Sequence, residues 1–250
     1  MTQRSEPIFN VPPVVLATIA ALLMVHAVRT LVLTDAQDEW VLLTFAFIPA
    51  RYDAAADYLR ALYGGFGAEL WSFFSYAFLH ADWLHIGLNL AWLLPFGTAL
   101  ARRFGAWRYT AFMLVVAAAG AAAHLITHPG AMVPMIGASA AISGAMAAAL
   151  RFVFQNGGPL GAWRGDANGD TYRVPAASLA ATLRDPRFLF FLGAWLGLNL
   201  LVGLGTVSMG EEGQEIAWQA HIGGFVAGLL LFNAFDPVAP QTVRDIEPTI

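Results

Sequence analysis

Six long apolar runs constrain this chain more than any other feature of its sequence. They fall at about 12–33, 83–100, 107–126, 138–154, 188–205 and 217–235, and a helix needs about 20 such residues to cross a hydrocarbon layer. Inside that layer the backbone must satisfy its own hydrogen bonds, so each run is expected to be a spanning helix and the remainder connection. The predicted fold is therefore all-α: a six-transmembrane-helix bundle. It is read as one domain over 1–250, with a short cytoplasmic segment 1–10 and a C-terminal tail 237–250. Composition agrees, since 58% hydrophobic residues against 12% charged lies far outside the balance of soluble domains. The first run is too long for the apolar core of a signal peptide and is read as a retained helix.

Charge sets the orientation. With the N-terminus cytoplasmic, Arg4, Arg102, Arg103, Arg108, Arg151, Arg164, Arg173, Arg184, Arg187 and Arg244 fall on the cytoplasmic side and only Arg29, Arg51 and Arg60 opposite, the bias that the positive-inside rule describes. Six crossings then bring the C-terminus back to the same side. The expected location is a bacterial inner membrane. The first connection, 34–76, is not purely polar: 40–48 is nearly all apolar, but Pro49, Asp53, Asp57 and Arg60 argue for a segment lying in the membrane interface. The connection 155–187 holds Asp166, Asn168 and Asp170 around Gly169. Its glycine is too early for a calcium loop and the distal glutamate is missing, so a solvated turn is expected. A net charge of −4 with no basic run leaves nucleic acid no footprint. No cysteine is present, so a covalent catalyst would have to use oxygen or nitrogen.

Three of the runs carry polar residues at one depth. Asp82 is a candidate N-cap, and the spacing of four then puts His85 and Asn89 on one helix face. Ser139 opens the fourth run, and His221 lies about one turn into the sixth. With six crossings all four fall in one layer near the extracytoplasmic surface, and no carboxylate lies in any run. That pattern points to a Ser139–His221 dyad rather than a triad, with His221 as general base and then general acid. Backbone amides at the start of the Ser139 helix, including that of Ser139 itself, would meet a developing oxyanion. His85 and Asn89 would add side-chain donors. Gly224 and Gly228 form a small-xxx-small strip, answered by Gly144 among the alanines of the fourth run, so the two helices are expected to touch backbone to backbone.

These residues resemble the rhomboid intramembrane serine proteases, over the second to sixth runs. The family pattern of histidine, histidine and asparagine matches His80, His85 and Asn89; its serine motif matches Gly137 and Ser139; its last motif matches Ala220, His221, Gly224 and Gly228. The resemblance implies a six-helix rhomboid-like bundle with a water-filled site opening to the extracytoplasmic side and a membrane-associated first loop. It implies that Ser139 and His221 are catalytic, that His85 and Asn89 hold the oxyanion with His80 in support, and that the glycines serve packing. The expected activity is endoproteolysis of single-pass membrane proteins near that face of the bilayer, with no cofactor, metal or nucleotide and with small, helix-breaking residues preferred near the cut. Residues 132–136 would pair with the extended substrate, less well for Pro134.

Three positions depart from the family pattern. Ala140 stands where glycine usually follows the serine, Ser143 where many members place an aromatic against the histidine, and Ser72 follows Trp71 where arginine is common. Ser143 is also a rival nucleophile, deeper by one turn. Two other functions compete: an inactive rhomboid-like protein that binds membrane clients, and a metal site built on His124, His128 and His80. His26 and Arg29 of the first run are expected at the interface, the arginine reaching outward.

Overall fold

The computed structural model of the protein describes residues 11–53, 57–161, 170–203 and 217–238. The segment 1–10, the turn at 166–169, the acids at 211–215 and most of the tail lie outside the described residues. Helix α1 spans Pro13–Leu31, α2 Asp35–Phe45, α3 Asp57–Leu62, α4 Gly65–Ser75 and α5 Trp83–Thr127; α6 spans Ser139–Ala149, α7 Leu179–Thr182, α8 Pro186–Gly203 and α9 Trp218–Phe235. Single 3₁₀ turns fall at Pro49–Tyr52, Tyr76–Phe78 and Asp170–Arg173. The described residues contain no β-strand beyond one antiparallel bridge between Phe47 and Met135.

The protein is an integral membrane protein. By length and hydropathy α1, α5 and α9 each suffice to cross a bilayer, while α6 and the apolar stretch Pro186–Leu201 of α8 are shorter. Helix α5, at 45 residues, would run about 67 Å if straight, more than twice the hydrocarbon thickness. It is not straight. Gly105 at φ 75° and ψ 165° breaks it into arms 83–104 and 106–127, in a conformation that side chains with a Cβ avoid.

At the centre α6 packs against α9 and α5. Small side chains permit this: Ala145, Ala147, Ala148 and Ala149 are fully buried, and a Cβ on Gly224 would enter the Ala140 carbonyl, as one on Gly228 would enter that of Gly144. The expected backbone contact is therefore present. The extra methyl of Ala140 is met by Gly120 of α5, whose own Cβ would sit 2.6 Å from it. A glycine on the second arm of α5 thus takes up the volume that the residue after Ser139 adds.

The first connection folds into a tied unit. Thr34 and Gln37 form a capping box at the start of α2. Trp71 Nε1 donates to the Thr44 carbonyl at 3.1 Å and Ser75 Oγ to that of Phe45 at 2.6 Å. Ser72, in the position after Trp71, is buried with its hydroxyl 2.9 Å from Tyr52 Oη. Arg51 is buried too, donating to the carbonyls of Tyr63 and Leu43 at 2.8 and 2.5 Å.

The expectation for α1 needs correction. His26 is fully buried, its ring edge-on to Trp83 at 4.5 Å, and Arg29 turns inward to pair with Asp38 at 2.6 Å and to donate to the His80 carbonyl at 2.8 Å. A local carboxylate and carbonyl give the guanidinium better partners than a reach to the surface would.

Candidate active site

Ser139 is the first residue of α6, entered through Gly137 at φ +115°, a left-handed conformation that favours glycine. The Gly137 N–H donates to the Tyr76 carbonyl at 3.0 Å, which fixes the approach. A Cβ on Gly137 would lie 2.8 Å from His85 Nε2 and 3.6 Å from Ser139 Oγ. Glycine thus keeps open the space between that imidazole and the hydroxyl.

His221 lies in the first turn of α9 with Nε2 2.6 Å from Ser139 Oγ. Its other nitrogen, Nδ1, lies 2.5 Å from Oδ1 of Asn199 on α8. Three helices therefore meet at one imidazole. The seam glycines bring α6 and α9 close enough for the serine contact, because Gly224, one turn below His221, rests on the carbonyl of Ala140, which follows Ser139. Ser143 is buried one turn deeper, and it is Ser139 that His221 engages.

His85 and Asn89 stand on the face that their spacing predicts. Asp82 caps α5 by accepting the His85 N–H at 2.7 Å. The Ala81 N–H points at His85 Nδ1 over 3.4 Å. A neutral imidazole that accepts at Nδ1 carries its proton on Nε2, so His85 presents an N–H to the gap over Gly137. Asn89 is buried and uses one amide hydrogen on the His85 carbonyl at 2.9 Å. His80 stands behind, fully buried, with its ring 5.1 Å from that of His85 and 6.5 Å from that of His26. Its ring nitrogens find no partner among the described residues. Burial first, then the neighbouring His85 and His26, pushes its pKa down to about 3. His80 is therefore a neutral wall behind His85.

The other histidines stay apart from this cluster. His124 and His128 stack on each other at 4.4 Å, and among the described residues no three of His, Cys, Asp or Glu gather as a metal site would require. Residues 132–136 are also partly committed, because Met135 exchanges both backbone hydrogen bonds with Phe47, at 2.8 and 3.1 Å. With Pro134 lacking an N–H, the opposite edge offers chiefly Ile136.

Asn199 escaped the reading of the sequence. Its signal was present, as the sole amide between Phe188 and Gly205, and an amide in an apolar span calls for an explanation.

Structure and site together define a helical integral membrane protein with a serine–histidine pair inside its bundle. The rhomboid-domain family model matches residues 67–235, and the chain belongs to the rhomboid family. It is similar to proteins named rhomboid protease GlpG from Klebsiella pneumoniae subsp. pneumoniae and from Klebsiella pneumoniae strain 342. Each is 28% identical over 164 residues, covering 65% of this chain and 48% of the relative. The chain thus spans about half the length of these curated relatives.

Proposed function

We propose that the protein is a serine-type intramembrane endopeptidase that works through Ser139 and His221. The observation that carries this reading is the 2.6 Å contact between His221 Nε2 and Ser139 Oγ at the start of a buried helix. In the proposed reaction Ser139 Oγ attacks the scissile carbonyl as His221 Nε2 takes its proton, and the imidazolium then returns that proton to the leaving amine. The oxyanion forms over Gly137, where the Nε2–H of His85 and the free amides at the start of α6 converge, with Asn89 behind. Water then releases the acyl group by the same steps in reverse. The scheme draws on protein groups and water alone, without cofactor, metal or nucleotide.

The two arms of α5 count as two crossings, which with α1, α6, α8 and α9 makes six and sets both termini on the side of Arg103 and Arg151. The first connection lies in the interface in this reading, as its exposed Tyr58, Leu62, Phe66 and Leu70 would find apolar surroundings there. Substrates are single-pass membrane proteins, cut near the face where Ser139 sits, once their helix is locally unwound. The whole chain forms one domain. The test is cleavage of a single-pass substrate in liposomes by the wild type and by Ser139→Ala, Ser143→Ala and His221→Ala. Loss with the first and third alone supports the dyad, whereas a folded, inactive wild type would point to the client-binding alternative.

A further inference from the structure

We propose that Asn199 is a positioning residue that fixes the tautomer of His221, so that the working site is a serine, histidine and asparagine series drawn from three helices. The inference rests on the Ser139–His221 reading and adds to it. The amide of Asn199 is oriented because its Nδ2 donates to the Trp195 carbonyl, one turn back on α8, at 2.8 Å. That leaves Oδ1, an acceptor only, aimed at His221 Nδ1 at 2.5 Å. Nδ1 must then carry the hydrogen, and a neutral ring that is protonated there has its lone pair on Nε2. Nε2 is the atom facing Ser139 Oγ. The opposite tautomer would set two lone pairs against each other at Asn199 and would leave Ser139 without a base.

The surroundings hold this arrangement in place. The Trp195 ring stacks on Phe225, 4.6 Å away, which ties the turn of α8 that bears the accepting carbonyl to the turn of α9 just below His221. Ser143 is too small to brace the imidazole, so the brace comes from the amide on α8. An amide orients the ring but carries no charge, and in this it differs from a carboxylate in the same place. The imidazolium formed during attack keeps its hydrogen bond to Oδ1, and that neutral partner supplies no counter-ion.

The test compares the wild type with Asn199→Leu, Asn199→Ala, Asn199→Asp and Ser139→Ala in liposomes. It measures kcat and KM for a single-pass substrate from pH 5 to 9, the rate of Ser139 labelling by a fluorophosphonate, and thermal melting. Asn199→Leu and Asn199→Ala are expected to lower kcat and the labelling rate about 10- to 100-fold with little change in KM, the size of one lost hydrogen bond to a developing charge. Asn199→Asp keeps an acceptor and adds charge. It should recover most of that loss above neutral pH while moving the acid limb of the profile upward by about one unit, because a carboxylate favours the protonated imidazole. A role confined to packing α8 on α9 would lower melting without moving that limb. The proposal is overturned if Asn199→Leu keeps the wild-type kcat and pH profile, or if Asn199→Asp leaves the acid limb in place. Activity remaining in Ser139→Ala would instead sink the dyad reading beneath it.

Discussion

The two ends of the α6–α9 seam hold polar groups in opposite ways. At one end Ser139, His221 and Asn199 are joined by single hydrogen bonds, with Ser139, His221 and the nearby His85 partly open and Asn199 buried. Roughly 18 Å away, at 1.5 Å per residue from Ser139 to Arg151, the other end is charged, closed and saturated. There Arg103 makes a two-pronged pair with Asp236 at 2.8 and 2.9 Å and donates to the carbonyls of Tyr172 and Val174 at 2.8 Å. Arg151 donates to the carbonyls of Ala177 and Leu229 and to Asn233 Oδ1. Both guanidinium groups lie against the Phe232 ring, at 5.4 and 5.0 Å. A buried charge is tolerated only when fully partnered, so the arginine end is built to stay still. The serine end leaves hydrogen-bonding capacity open, which suits the proposed role of receiving a substrate.

The largest expected effect would break that contrast at the serine end. Ser139→Ala should lower cleavage by roughly 10⁴-fold or more while leaving the melting temperature near the wild-type value. Asp236→Ala should do the reverse. Breaking a buried ion pair costs about 3–5 kcal/mol, so its midpoint in a denaturation series should fall sharply while kcat at a permissive temperature holds. If both variants lost activity and stability together, the division of labour along the seam would be wrong. His85→Ala tests the oxyanion assignment, with an expected loss of roughly 10²- to 10³-fold in kcat; a change confined to KM would count against it.

A smaller effect belongs to the seam itself. Gly228→Ala pushes a methyl into the Gly144 carbonyl and should destabilise by about 1–3 kcal/mol, with a loss of activity if the strain reaches Ser139. The last effect is a dependence on pH. Because the folded pKa of His80 is about 3 against an ordinary 6.5, the unfolded chain binds the extra proton first. The stability that the neutral ring gives is fully present above about pH 6.5 and is lost as pH falls toward 3. Melting curves at pH 7.5 and 4.5 should show this slope, and His80→Leu should reduce it.

How much of this was legible in the sequence depended on whether a residue acted along its own helix or across to another. The apolar runs fixed α1, α8 and α9 to within a few residues, since periodicity and length are local properties. The runs at 83–100 and 107–126 were right as well, but the break fell on Gly105, whose backbone torsions a composition count does not reveal. His85 and Asn89 could be placed on one face from their spacing, and Ser139 and His221 could be matched by depth. Asn199 was passed over because its importance lies in what faces it. The inward turn of Arg29 was missed because Asp38, its partner, belongs to a different helix.

The sequence by itself determined that this is a helical membrane protein, which polar residues lie in its apolar runs, and which small residues let two helices meet. Those follow from the energetics of burying a backbone in hydrocarbon, which every residue reports locally. Only the tertiary structure decided which nitrogen of His221 faces Ser139, which amide holds the other, and that Gly120 makes room for Ala140. Hydrogen bonds and close contacts depend on the relative rotation and depth of helices far apart in the chain. That rotation is set by packing summed over many side chains rather than by any one of them.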